Sequence, residues 1–379
     1  NLGTKITNML KLSVILEKFA IFALSKIALK MKKLLLSVAF LAGLACFNAC
    51  STDVELYADY KDIPVIYGLL DASQDTNYIR INRAFSGSNE NPIDANEVAL
   101  IADSCNYPGK LKAYIVEYQS GYGNQYLETG DVIELDTITI HDKEEGIFYS
   151  PNQKVYYAKT SDIFGNNSPS KKYRYKLFVH KGNDTITSET GLVGGEEFKI
   201  INTSLSFRAK ESDRSNQIKF VEAENAVFYD VYFVFRYRES INNGPFVWKQ
   251  VKYSFGAKNV DELGRDGTTL YVTYPENLLF NLMTDAIGGD TVIDSNHPNV
   301  VRYFDNKPIS IYLAAGGDEL YNYILVNSQS GYSQTVPDYT NVHGGYGVFS
   351  SRKNLVKEAD VSSQTKVDLY GKPWGFLQQ

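Results

Sequence analysis

The segment Asn341-Val342-His343-Gly344-Gly345-Tyr346-Gly347-Val348-Phe349-Ser350-Ser351 places three glycines within four residues and follows them with serines. Glycines and hydroxyls of this kind can wrap a phosphate. A phosphate loop, however, needs Gly-Lys-Ser/Thr opening a helix, and here Gly347 is followed by Val348-Phe349. A dinucleotide fingerprint needs a strand before the glycines and a helix after them. Pro337 to Thr340 instead reads as a loop, and Val348 to Ser351 as a strand. The glycines are therefore expected to supply positive φ or close backbone approach ahead of a final strand. Asn341, Gly344, Gly345, Gly347 and Phe349 then form a structural motif.

Other residues with chemical potential are scattered. The histidines His141, His180, His297 and His343 lie in four distant segments, with none of the short spacings that place two metal ligands on one element. No Gly-x-Ser-x-Gly elbow occurs. The acidic turns around Asp71, Asp75 and Asn77 and around Asp290, Asp294 and Asn296 lack the ladder of oxygens and the distal Glu of a calcium loop. They read as turn chemistry. Glu144-Glu145 and Glu196-Glu197 are adjacent, so on strands each pair would point to opposite faces and could not act as paired catalytic carboxylates; solvated turns are the better reading. No catalytic residue, metal or cofactor is expected. Tyrosines among Gly, Asn and Gln, as in Gly121 to Tyr126 and Gly331 to Gln334, could stack on sugars or proteins, and more simply fold back onto the body.

Cysteine carries the clearest covalent chemistry. Met31-Lys32-Lys33 followed by the apolar run Leu34 to Ala45 has the shape of a secretory signal, and the run is too short to favour a permanent membrane span. Phe47-Asn48-Ala49-Cys50 closes it and resembles a lipobox, which marks Cys50 for lipidation. Cys46 fits that pattern less well. With Cys50 acylated, Cys105 stands alone and neither a disulfide framework nor a CxxC metal site is possible. Residues 1–30 are read as sequence upstream of a start at Met31, with an extra amphipathic segment as the competing reading.

Residues 1–49 hold seven lysines and one acid, so the remaining chain has 31 basic against 43 acidic residues, a net charge of −12. Such a body argues against nucleic acid as a partner and against electrostatic attachment to anionic lipid. Attachment must then come from the acyl chains on Cys50, at about 0.8 kcal/mol per buried CH2.

The elements that must position these residues are mostly strands. Tyr (28) and Phe (20) are abundant, and β-branched residues recur in short runs between Gly, Asn, Asp and Pro clusters, which points to an all-β, mainly antiparallel fold. Val65 to Leu70, Asn77 to Phe85, Leu111 to Tyr118, Tyr173 to Val179, Thr185 to Thr190, Phe228 to Tyr237 and Phe246 to Tyr253 read as strands. Gly182-Asn183 and Asn242-Asn243-Gly244-Pro245 are hairpin turns. Helices are expected near 275–287, with Pro275 in the first turn, and near 318–327. The organisation expected is a tether over 50–62 and two sandwich-like (Ig/fibronectin-III-like) domains, over 63–193 and over 197–379, with the glycines and charges of Gly191 to Glu197 between them.

The order of Cys50, the strand Val65 to Leu70, the hairpin from Tyr173 and the late segment from Asn341 to Phe349 resembles a family of Bacteroidetes outer-membrane lipoproteins defined by a domain of unknown function. Its members carry an Asn-Ile-Glu-Gly-Gly-Leu-Gly-Tyr-Phe-like segment near the C-terminus. Val342, His343, Tyr346 and Val348 depart from that form. The resemblance implies an outer-membrane lipoprotein, of a kind often encoded beside TonB-dependent transporters, with a part in capture or uptake at the surface; a glycan or peptide is the ligand expected beside it. No catalytic residues come with it. Three functions follow as expectations: a non-enzymatic capture protein, an adhesin or envelope scaffold, and a surface hydrolase whose acids meet only in the folded chain.

Overall fold

Period-two alternation of apolar and polar residues becomes strand along most of the chain, because each such run can put one face into a core and one into water. The computed structural model describes residues 62–84, 100–101, 105–121, 125–141, 152–165, 172–210, 212–287, 299–329 and 339–378. Cys50, His297, Glu144, Glu145 and the turn holding Asp290 to Asn296 lie outside them.

In chain order the elements begin with β1 (Pro64–Leu70), β2 (Thr76–Arg83), β3 (Lys112–Ser120), β4 (Tyr126–Glu134), β5 (Asp136–Ile140), β6 (Gln153–Lys159), α1 (Thr160–Phe164), β7 (Tyr173–Lys181) and β8 (Asp184–Gly191). The chain continues through β9 (Ser204–Leu205), β10 (Ser215–Val221), β11 (Phe228–Ile241), β12 (Val247–Asn259), β13 (Gly264–Asp266), β14 (Thr269–Pro275) and α2 (Leu278–Ile287). It ends with β15 (Val300–Tyr303), β16 (Ile309–Gly316), α3 (Asp318–Gln329), β17 (Tyr346–Val361) and α4 (Ser363–Gly371). The fold is all-β and sandwich-like, with mostly antiparallel pairing.

One long sheet runs β12-β11-β16-β17-β1-β2-β6-β5, with β15 added to β11 and β9 to β17. A four-stranded sheet, β4-β3-β7-β8, faces its β1-β2-β6 part, and a three-stranded sheet, β10-β14-β13, serves the other part. Two cores result. Ile66, Ile79, Ile115, Tyr156, Leu177 and Phe349 fill the first; Phe207, Phe220, Phe233, Tyr274, Met283, Ile311 and Trp374 fill the second. The described residues belong to one compact unit, and β17 contributes to both cores.

Turn chemistry fixes the hairpins. Gly182 (φ 60°) turns β7 into β8, and Asn242 (φ 52°) with Asn243 (φ 58°) turns β11 into β12, the left-handed pair that suits the twist of the strands. Pro275 does not open a helix. It ends β14 opposite Ser215, and α2 starts three residues later at Leu278, because β10 has already claimed the backbone up to the proline. Glu196 and Glu197 sit in an exposed turn, as the solvated-turn reading expects. Among the described residues no helix is long and apolar enough to cross a membrane.

Candidate functional site

The glycine segment forms a knot between β1, β8 and β17. Gly344 takes φ 85° and Gly347 φ 112°, both in the region closed to most side chains. A Cβ on Gly347 would collide with the carbonyl oxygen of Ile66, and one on Gly345 would stand 2.6 Å from that of Pro64. This close approach lets β17 lie parallel to β1, with Val65 opposite Tyr346 and Gly68 opposite Phe349. Asn341 acts as a substitute strand. Its Oδ1 accepts from the Phe349 N–H at 3.0 Å, and its Nδ2 donates to the Phe349 carbonyl at 2.7 Å and the Glu189 carbonyl at 3.3 Å. The Ser188 hydroxyl donates to the Asn341 carbonyl at 2.8 Å, and Thr187 and His343 exchange both backbone hydrogen bonds. These groups are spent on the fold.

The two serines after Phe349 reach a further junction. Ser351 accepts from the Val193 N–H at 2.9 Å and donates to the Gly191 carbonyl at 2.6 Å. Ser350 donates to Glu319 Oε2 at 2.9 Å, and Thr190 donates to the same oxygen at 3.0 Å. Glu319 stands in the first turn of α3, where the helix dipole favours a negative charge. Burial nevertheless pushes its carboxyl above the ordinary Glu value, against the pull of its own N–H, of both hydroxyls and of Arg174. Beside it opens a cleft of about 890 Å³, walled also by Glu196, Glu197, Glu222, Glu224 and Asp318. The folded chain thus gathers acids that are distant in sequence. Their engagements are structural at two points: Arg265 grips Glu222 at 2.6 and 2.9 Å, and Glu319 anchors β8 to β17. Among the described residues no group of His, Cys, Asp or Glu is placed to hold a metal ion.

A second surface lies on the outward side of β11 and β12. Tyr232 and Tyr312 stack at 4.5 Å between ring centroids, and Lys252 caps Tyr232 at 4.0 Å. At the far end of the hairpin Phe246, Val247 and Trp248 are consecutive and about half exposed, and Ile241 across the turn is exposed as well. Trp248, at 58 % exposure, has the Arg238 guanidinium 5.6 Å from its ring, and Phe246 leans on Tyr303 at 5.6 Å. Alternation alone does not reveal this surface. The signal that could have found it is three apolar residues in a row directly after Asn-Asn-Gly-Pro, where a hairpin end should be polar.

The remaining sequence candidates are dispersed. His141 bonds Asn152, His180 sits between Tyr114 and Thr185, and His343 belongs to the glycine knot. Asp71 is buried in its turn, accepting from the N–H and hydroxyl of Ser73, while its own N–H donates to Asn77. Tyr126 opens β4 with Arg174 over its ring, and Tyr122 and Tyr332 lie outside the described residues.

No family model and no curated protein matches the sequence. Among solved structures, the C-terminal globular domain of an oligosaccharyltransferase from Pyrococcus abyssi aligns over 82% of this chain and 53% of its own, at 8% identity and a TM-score of 0.14. The chain thus spans about half of that structure, and the likeness bears on neither fold nor function.

Proposed function

We propose that this protein is a lipid-anchored, non-enzymatic capture protein of the outer membrane, acylated on Cys50 and exposed at the cell surface. The observation that carries the reading is the exposed apolar end of the β11–β12 hairpin. Solvent-exposed Trp and Phe in sequence cost free energy in an isolated protein and serve recognition. The end lies remote from β1. From the Val65–Tyr346 pair, β17 runs on to Ala359 beside Ile309, Phe235 is paired with Ile309, and β11 continues to Ile241. At about 3.3 Å per residue that path is roughly 60 Å. Capture at that end, with handover to a TonB-dependent transporter, fits the family resemblance of the glycine segment, and a glycan or peptide is the ligand.

Two experiments test it. Fatty-acid labelling should vanish in Cys50→Ala, and labelling that persists would remove the anchor. Pull-down of the native protein from outer membranes in mild detergent should bring a transporter with it; recovery of the lipoprotein alone argues for the adhesin or scaffold reading. That second reading has its own support in the exposed edge strands β4 and β5, where Leu127, Val132, Ile138 and Ile140 face solvent and could pair with another chain.

A further inference from the structure

On β11 and β12 the outward side chains form a ladder. Trp248 stands opposite Arg238, Gln250 opposite Arg236, and Lys252 opposite Val234, while the intervening Val251 and Tyr253 turn toward the core. Arg236, Trp248, Lys249 and Gln250 line a shallow depression of about 340 Å³, at the small end of ligand sites, which run from roughly 300 to 1,000 Å³. The charges around it are incompletely matched. Arg236 reaches Glu358 at 3.3 Å and Arg238 reaches Asp305 at 2.7 Å, but both pairs are exposed and weak. Lys249 alternates to the other face, 4.0 Å from Glu239, a carboxylate already held by the buried Arg302 at 2.6 Å, and is not part of the ladder. Lys252 pairs with no carboxylate among the described residues and lies over Tyr232. Arg238 Nε is buried without a hydrogen-bond partner among the described residues, so that guanidinium is incompletely satisfied. A positive, aromatic strip therefore lies on a chain whose net charge is −6.

We propose that this strip binds an anionic glycan, a chain of hexose units bearing carboxylate or sulfate groups. The assignment rests on the capture reading above and gives it a ligand class. A pyranose ring presents an apolar C–H face, which the exposed Trp248 ring can take; its hydroxyls match the Gln250 amide, and its acid groups match Arg236, Arg238 and Lys252. Guanidinium forks suit carboxylate and sulfate oxygens in particular. Insertion into lipid fits less well, because the residues at the very end of the hairpin are Asn242, Asn243 and Gly244, which are polar or bare.

The test is a titration of the full-length protein, held in a non-ionic detergent, with polygalacturonate, chondroitin sulfate and neutral dextran. Both acidic polymers should bind and dextran should not. Binding should weaken as salt rises from about 0.1 M to 1 M, where the screening length falls from about 10 Å to 3 Å. Trp248→Ala and Arg238→Gln should each lower affinity about tenfold or more while leaving the unfolding midpoint unchanged. A folded wild-type protein that binds neither acidic polymer overturns the ligand class. Equal, salt-insensitive binding to dextran overturns the role of charge but leaves capture standing. Binding that survives both substitutions overturns the location. Capture itself falls separately, if the native protein brings down neither transporter nor ligand from outer membranes.

Discussion

Gly347 holds φ 112° with the Ile66 carbonyl in the space of its missing side chain, so backbone conformation and crowding act at one atom. Gly347→Ala is expected to destabilise the protein by about 3 kcal/mol or more, read as a lowered denaturation midpoint. Asn341→Ala removes the side chain that satisfies both backbone groups of Phe349, a loss of roughly 2–3 kcal/mol. Glu319 offers a test in pH. Its folded pKa is raised, so its contribution to stability is present below the ordinary Glu value and is lost as pH rises through the folded one. Glu319→Gln keeps an acceptor for Thr190 and Ser350 without the charge. The melting temperature of the variant should therefore gain on that of the wild type as pH is raised from acid to neutral; a constant difference would show that Glu319 does not titrate in that range. The need for glycine at 344 and 347 was legible in the sequence, because a run of glycines ahead of a strand has few other uses. The partners of Asn341 and Glu319 were not, since Ser188, Thr190 and Ser350 approach from segments up to about 150 residues away.

At the scale of elements, strands, tight turns and the helix from Asp318 left clear marks, and the short helices α1 and α4 the faintest. The Asn-Asn-Gly-Pro turn and its flanking runs could be read directly because local φ requirements and alternation agree there. The start of α2 could not, because pairing of β14 with β10 overrides the preference of Pro275 for a first helical turn. The helix α4 buries only Thr365 and Leu369, too few to leave a helical stripe in the sequence. What fastens the end of the chain is Arg302 on β15. It binds Glu239 at 2.6 and 2.9 Å and also bonds the Trp374 carbonyl. Arg302→Ala would leave Glu239 without its buried partner at a cost of about 3–5 kcal/mol. It should also loosen the fully buried Trp374. In a Trp248→Phe background, where Trp374 is the remaining tryptophan, that loosening should appear as a red shift of fluorescence; an unshifted spectrum would mean that packing and the backbone bonds of residue 302 to Gly375 and Leu377 hold the C-terminal segment without the guanidinium.

Across the whole molecule, the two cores are spanned by one sheet, and β17 is the strand that belongs to both. Sequence reading reached the sandwich texture but not this sharing. A parallel pair between Val65 and Tyr346 crosses roughly 280 residues and leaves no local signature. A chain ended before Asn341 would lose Val342 and Phe349 from the first core and leave β1 with an unpaired edge. Such a truncation is expected to be protease-sensitive throughout, including in the segments before Gly191; a protected fragment of that length would show that the first core closes alone. The pairing of β1 with β17 also sets an order in time. The first core is therefore expected to close only after Phe349 has been made, late in synthesis. Placing the closing strand late in the chain makes synthesis itself the timer of folding.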